Sequence, residues 1–582
     1  MGKRSVAIII LAGCILTLPI IFYGAPFASD DGLTHVRWYS HFSEQFWAGD
    51  LYPRWLVGMN DGLGSPVFFY YPPVPYFLTS LIEPLFPGDP YGSYQLGVSA
   101  SIAMILSGLS AFLWLKQLVK EIPAMIAAVL YMASPYHLAS DLYIRFAFAE
   151  FWSFVWIPLI LYFTHKILGG DRLAFAGLAI SYAVLIMTHL PTTLIFSVVP
   201  LCYALVLGAD KKLIPFGKIV FSMALGVGLS AIYLYPAMAM QKYVFLDRMG
   251  IGYFFYDNWL FFSNFSLWTD DKIVILLLVL DMLGVALFAF IILRRIPDPI
   301  LKKAGLFWFL MATVSAFMMT ELSKPIWLIV YPLQRIQFPF RFGMILTLAG
   351  TALIALAISA LRNDYNSKIG GIGRIFFLLI AVWLPSLVWS VTRAFPSQGT
   401  DQQTINSEIE EGRDQPEYRP RWNESMSRID WGISKDIDNW DTQMEKEYNE
   451  LLQRTGVGTE GVSKIKIVEG TGQIDVVGWR SRELILHAAT DRGMEIVVNQ
   501  FYYPNWTARV DGGQQTLIVE PSLPDGLISL SIPNGDHEIR LVLEKSKEEL
   551  TGQMISLVSL IFLVLGITIF GSLKIHKKRP RP

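Results

Sequence analysis

Long apolar runs separated by short basic stretches fill the chain from about residue 5 to residue 394. Alternating apolar and polar positions then take over, and one last apolar run closes the chain near 550–573. Runs that approach about 20 apolar residues predict membrane-crossing helices. They fall near 5–23, 94–115, 122–138, 147–164, 173–189, 191–209, 216–236, 272–293, 304–320, 342–361, 375–394 and 550–573, about twelve in all. Lys3/Arg4, Lys116/Lys120, Lys166/Arg172, Lys211/Lys212/Lys218, Arg294/Arg295/Lys302/Lys303, Arg362/Lys368/Arg374 and the tail from Lys574 to Arg581 all fall on one side of such an arrangement. The positive-inside bias makes that side cytoplasmic, with both termini there. The chain is therefore expected in the cytoplasmic (inner) membrane, its working face extracytoplasmic.

Four divisions follow: a membrane domain at 1–394 with a long first external loop at 24–93, an acidic, irregular external segment at 395–460, a β-rich unit at 461–548, and a closing helix with a basic tail at 549–582. A short helix is expected at Asp436–Leu452. The runs S-K-I-K-I-V, Q-I-D-V-V, E-L-I-L-H-A, M-E-I-V-V-N, L-I-S-L-S-I and H-E-I-R-L-V-L read as strands. Turn signals such as Asp511-Gly512-Gly513, Pro524-Asp525-Gly526 and Asn534-Gly535-Asp536 divide several of them, which predicts a small antiparallel sandwich.

Composition agrees with the pattern. Of 582 residues, 53% are hydrophobic and 16% charged, where a soluble domain carries near a quarter charged; mean hydropathy is +0.43. The net charge of −1 gives no footprint for nucleic acid. Cys14 and Cys202 lie in apolar runs without metal-ligand spacing. Leu11 to Cys14 imitates a lipoprotein cleavage box, but the apolar run continues through Tyr23, so an uncleaved first helix is expected.

The candidate chemistry lies in the external loops. Asp30 and Asp31 follow the first apolar run, and Asp31 and His35 stand four apart, on one face of a helix. As catalytic groups, a carboxylate here would serve as a base for an acceptor hydroxyl. As ligands, Asp30, Asp31 and His35 suit Mg²⁺ or Mn²⁺. Ser29, Asp30 and Asp31 are equally good helix caps. His137, Asp141 and Arg145 are spaced i, i+4, i+8 with Glu150 beyond, a polar stripe on a helix whose arginine suits phosphate. The same spacing also allows a self-satisfied Asp141–Arg145 pair. Arg335 to Phe342, R-I-Q-F-P-F-R-F, puts Arg341 among aromatics, fit for a lipid phosphate or for an interfacial belt. His189 in T-H-L-P ends a helix. Tyr502 to Trp506 reads as a sugar-stacking surface or as a packed strand edge.

The runs S-D-D-G-L-T-H, L-Y-P-R-W (with Arg54) and F-F-Y-Y-P-P-V-P-Y resemble the first external loop of the membrane proteins labelled 6-pyruvoyl-tetrahydropterin-synthase-related. S-P-Y-H-L-A-S-D-L-Y-I-R-F-A-F-A-E, T-H-L-P, I-Q-F-P-F-R-F and Y-Y-P-N-W fit the same pattern. That family is similar to multi-spanning GT-C glycosyltransferases, which take sugars from polyprenyl-phosphate carriers. The resemblance implies that Asp31, with Asp30, holds the catalytic position. It also makes Arg341 and Arg145 candidates for the donor phosphate; His35, Arg54, His137, Asp141, Glu150 and His189 are further candidate substrate-binding residues, of which His189 equally suits a satisfied helix end. The expected partners are membrane lipids, a polyprenyl-phosphate sugar and an extracytoplasmic glycan, lipid or protein acceptor. The alternatives are a lipid-linked glycan transporter, for which Asp281 within a span would matter, and an envelope assembly protein working through its sandwich.

Overall fold

The computed structural model describes residues 2–578 apart from 87, 90, 209–212, 251–253, 264–269, 297, 364–369, 396–405, 407, 408, 411, 425, 427–436 and 458–463. Parts of the stretch between the expected spans 216–236 and 272–293, and of the segment 395–460, thus lie outside the described residues.

Among the described residues nine helices are long and apolar enough to cross a membrane: Ser93–Leu115, Glu121–Ile144, Phe148–Leu168, Leu190–Leu207, Lys272–Arg294, Pro299–Met318, Pro339–Leu361, Arg374–Ala394 and Lys547–Phe570. The remaining three expected spans depart from a simple crossing. The first is split at Thr17 into Lys3–Leu16 and Leu18–Tyr23, with the Thr17 hydroxyl donating to Gly13 O at 2.8 Å. The second, Ala174–Ile186, is shorter than a full span. The third breaks into Leu213–Leu229 and Ala231–Ala239, bent by 70°. A broken helix in an apolar setting must have its backbone groups satisfied by side chains. Ser556 of the last helix does this: its hydroxyl donates to Leu229 O at 2.9 Å and accepts from Ile232 N at 2.7 Å. Close approach is allowed by Gly228, where a Cβ would stand 2.2 Å from Ser559 Oγ.

Helix Pro339–Leu361 is the central one; its buried Ala349, Ala352, Ala355 and Ala357 let neighbours approach closely. On one end of the bundle lies the first long loop. It forms the helix Gly32–Trp47 and the short helices Val67–Tyr70 and Val74–Ser80. Phe42 and Tyr76 each pack edge-on against Phe68, with ring centroids 4.6 and 4.8 Å apart.

Residues 412–424 pass over this loop as a strap. Asn60 N donates to Gly412 O at 2.8 Å, and Trp38 Nε1 donates to Asp414 Oδ1 at 2.8 Å. Helix Ile437–Thr455 stands where the short helix is expected and reaches the loop through Tyr448 and Asp61.

The alternating runs become strands: β1 (Ile465–Gly470), β2 (Gln473–Arg480), β3 (Glu483–Thr490), β4 (Met494–Phe501), β5 (Trp506–Val510), β6 (Gln515–Leu517), β7 (Glu520–Ser522), β8 (Leu527–Ile532) and β9 (Gly535–Leu543). They form two antiparallel sheets, β1-β4-β8-β7 and β2-β3-β9-β5-β6. The sandwich sits on the first loop. Phe501 N donates to Leu63 O at 2.7 Å, Gln500 Nε2 to Gly62 O at 2.9 Å, and the Tyr70 and Tyr503 hydroxyls meet at 2.8 Å. Tyr503 is fully buried and Trp506 nearly so, which makes the Y-Y-P-N-W run part of this joint. The last helix begins with a reciprocal cap between Ser546 and Glu549, both bonds 3.0 Å. Glu549 also receives Arg482 at 2.8 Å from the sandwich and Arg54 at 3.6 Å from the first loop.

Candidate active site

The N-terminal turn of helix Gly32–Trp47 is tied by its backbone to the end of span Glu121–Ile144. Asp30 N donates to Ile144 O at 3.2 Å and Asp31 N to Arg145 O at 2.8 Å. That places the first-loop acids against the polar stripe. The stripe is not an α-helix: Tyr136–Ile144 is wound as a π-helix, with Arg145 N bonded to Ser140 O at 2.9 Å. Such wide turns recur at functional sites. Phe146 follows with φ +47°, a costly backbone for an aromatic residue.

The stripe divides. Asp141 and Arg145 stay together at 2.8 Å. His137 turns away, stacks on Phe154 at 3.9 Å and bonds Tyr131 O at 3.1 Å, so it serves the helix core. Glu150 is the hub. Its Oε2 accepts from Arg145 at 3.2 Å and Arg341 at 3.0 Å, and its Oε1 accepts from the Tyr136 hydroxyl at 2.6 Å. Arg341 is held further by Ile336 O at 2.5 Å and lies 5.1 Å over the Phe338 ring. Arg145 faces the Phe340 ring at 5.2 Å. Gln337, with φ +65°, turns the chain that delivers these rings. The Nη2 group of each arginine has no bond to the described residues.

Asp31 sits at the helix N-cap position, yet its side chain caps nothing. It is half-buried, and its carboxylate has no hydrogen bond or ion pair among the described residues. Burial raises its pKa above the ordinary carboxylate value, opposed by Arg145 and Arg341, which feel its charge without touching it. Asp30 is exposed. His35 is buried with Nδ1 2.6 Å from the Tyr76 hydroxyl, and burial pushes its imidazole down to about 3, with Arg145 adding to the effect. His189 is likewise buried, bonded to Thr192 Oγ1 at 2.8 Å, and pushed down to about 3. Both imidazoles are neutral at physiological pH.

Asp31, His35, Asp141, Arg145, Glu150, His189 and Arg341 therefore converge, while His137 and Arg54 do not. Arg54 donates to Ile232 O at 2.7 Å and pairs with Glu549, at the joint of loop, sandwich and last helix. Asp30 is exposed, His35 engages Tyr76, and no three His, Cys, Asp or Glu among the described residues are grouped to hold a metal ion.

The strap supplies Tyr418, Asp414 and Glu417, which sequence reading passes over. Tyr71 packs on Trp38 at 4.6 Å and Tyr418 on Trp38 at 5.7 Å, making an aromatic wall beside His35 and Asp31. Asp414 and Glu417 lie behind it, and burial raises them to about 6 and about 7. The run Y-Y-P-P-V-P-Y signals Tyr71 and Tyr76 as members of a stiff aromatic loop. Nothing in D-Q-P-E-Y separates Asp414 and Glu417 from their acidic surroundings.

Among solved structures, the arabinofuranosyltransferase AftD from Mycobacteria is similar over 68% of this chain at 16% identity and TM-score 0.43; the chain spans 27% of its length. ArnT from Cupriavidus metallidurans, bound to undecaprenyl phosphate, is similar over 71% of this chain and 77% of its own, at 12% identity and TM-score 0.38. The archaeal oligosaccharyltransferase AglB from Archaeoglobus fulgidus, in complex with an inhibitory peptide and a dolichol-phosphate, covers 76% of this chain and 59% of its own, at 11% identity and TM-score 0.41. No curated protein matches. A family model matches residues 68–397, and the chain belongs to that family, the membrane proteins with a 6-pyruvoyl-tetrahydropterin synthase related domain.

Proposed function

We propose that the protein is a membrane glycosyltransferase that moves a sugar from a polyprenyl-phosphate donor to an acceptor on the extracytoplasmic face. The observation that carries this reading is the unengaged, half-buried Asp31 carboxylate facing two arginines that Glu150 already holds in place. Arg145 and Arg341 retain donors for a phosphate, and guanidinium forks suit phosphate oxygens. Asp31 takes the proton of an acceptor hydroxyl. The acceptor oxygen forms a bond to the anomeric carbon on the face opposite the phosphate. The bond from that carbon to the phosphate oxygen breaks, and its electron pair leaves with the polyprenyl phosphate. The arginines meet the charge that develops there, in a setting poor in water, where fixed donors count for most. The sugar comes out inverted. Neutral His35 and Tyr76 fix the wall beside the base, and Tyr71 offers a ring to the sugar.

A base of raised pKa is better matched to neutral pH than an ordinary carboxylate. The test separates the two roles. Asp31→Asn should lose transfer by at least a hundredfold in kcat while still binding donor. Arg341→Gln should weaken donor binding. Asp30→Asn should remain active. Full activity of Asp31→Asn would end the assignment. The transport alternative centres on Asp281, which accepts a bond from Trp383 at 2.7 Å and so links two helices.

A further inference from the structure

The segment between spans Pro299–Met318 and Pro339–Leu361 has an anchored face and an apolar, open one. Its two ends are the adjoining ends of successive membrane helices, and only residues 319–338 lie between them, which keeps the segment near the bilayer boundary on the sandwich side. Trp327 is the anchor. It is fully buried, its Nε1 donates to Met318 O at 3.1 Å and to Ser323 Oγ at 3.0 Å, and its ring stacks on Tyr256 at 5.1 Å. Around it Leu322, Leu328, Ile329 and Tyr331 are 79%, 59%, 82% and 59% exposed. So many large apolar groups on one short stretch are unfavourable in water and favourable at the headgroup–acyl boundary. Cations border the patch: Lys324 pairs with Asp257 at 2.7 Å, and Arg335 lies 5.6 Å over the Tyr331 ring.

The same stretch leads into the active site. Past Arg335 the chain turns at Gln337. Phe338 and Phe340 then stack on each other at 5.1 Å, against Trp259, and carry Arg341 and Arg145 on their faces. An apolar strip thus runs from the bilayer to two guanidiniums with open donors.

We propose that residues 322–331 lie in the leaflet on the sandwich side and bind the first isoprene units of a polyprenyl phosphate, whose phosphate reaches Arg341 and Arg145 along the Phe338–Phe340 strip. The seating in the leaflet stands by itself; the choice of lipid rests on the donor class proposed above. Leu328 and Ile329 are then positions that select the lipid.

The full chain in phosphatidylcholine vesicles, with Cys14 and Cys202 replaced by serine, tests both halves. A fluorophore on Ile329→Cys should be quenched by lipids bearing a nitroxide near the headgroup and little by aqueous iodide. A polyprenyl phosphate with a diazirine in its first isoprene unit should label the peptide 322–341. That labelling should fall about tenfold in Leu328→Asn/Ile329→Asn, as expected from the apolar contact removed. Unlabelled polyprenyl phosphate should compete, and phosphatidylglycerol should not. Quenching by iodide alone would overturn the seating. Labelling that ignores the double variant, or yields equally to phosphatidylglycerol, would overturn the lipid-selecting role and leave the donor reading intact. No labelling anywhere, with nitroxide quenching intact, would overturn the donor reading and the lipid choice together, and keep the seating.

Discussion

Replacing Glu150 with glutamine removes one negative charge from a hub that holds two arginines and a tyrosine. Glu150 is 1% exposed, and Arg145 and Arg341 are 4% and 9% exposed. Glutamine keeps the shape and one acceptor, so the bond from Tyr136 survives. The two charge-assisted bonds, at 3.2 and 3.0 Å, do not. Breaking a buried pair by removing one partner costs about 3–5 kcal/mol, chiefly because a charge is left without compensation. Asp141 still compensates Arg145 at 2.8 Å, so the loss falls mostly on Arg341 and should lie near the lower figure, about 3 kcal/mol. Removing the stranded charge as well should return part of it. The double variant Glu150→Gln/Arg341→Gln is therefore expected to be more stable than the sum of the single effects predicts, by about 1–2 kcal/mol. Unfolding of the purified protein in detergent, followed by tryptophan fluorescence across the four-membered cycle, measures this. Strict additivity, or a Glu150→Gln effect below about 0.5 kcal/mol, would refute the hub.

Three further outcomes follow from the same chemistry. Asp414 has its pKa raised by burial from 3.8 to about 6, so the folded chain binds that proton more tightly than the unfolded one. Its contribution, about 3 kcal/mol, is full below pH 4 and is lost as pH rises through 6; Asp414→Asn should flatten the thermal stability between pH 5 and pH 8 relative to wild type. Glu549→Ala strands Arg54, 2% exposed, and removes the bond from Arg482. It should lower stability by about 3–5 kcal/mol in the same melts while leaving the Asp31 region chemically intact. The pH profile of transfer should rise through the ionisation of Asp31, with its acid limb above the ordinary carboxylate range, because burial outweighs the two arginines; a limb at or below pH 4 would contradict that balance.

Much of the plan was legible because its signals are strong and local. Apolar runs of span length, a basic side and strand alternation placed the bundle, the sandwich and the anchoring helix. The family that the first-loop motifs imply is the family the chain belongs to. The count of simple spans was less legible. Residues 5–23 and 216–236 are as apolar as their neighbours, and partners far away in sequence meet both breaks, the Tyr143 hydroxyl on Leu16 O at 2.6 Å in the first case and Ser556 in the second. The candidate site divided in the same way. Asp31, Arg145, Glu150 and Arg341 were found as polar groups at span ends. Spacing could not show that the π-winding keeps Asp141 beside Arg145 yet turns His137 into the core. The partners of Arg54, Glu549 and Ile232, lie far away in sequence, so the L-Y-P-R-W motif does not show that it joins loop, sandwich and last helix. The strap acids were hidden because burial, which sequence does not display, is what sets them apart.

The most direct test of the central claim uses purified wild-type protein and Asp31→Asn in lipid with a panel of radiolabelled polyprenyl-phosphate sugars. Release of free carrier and transfer of label are followed together. The account predicts turnover of at least one donor by wild type, and its loss in Asp31→Asn with donor binding retained. Equal turnover by both proteins would contradict the role given to Asp31, and donor binding by wild type with no turnover would contradict the enzyme itself.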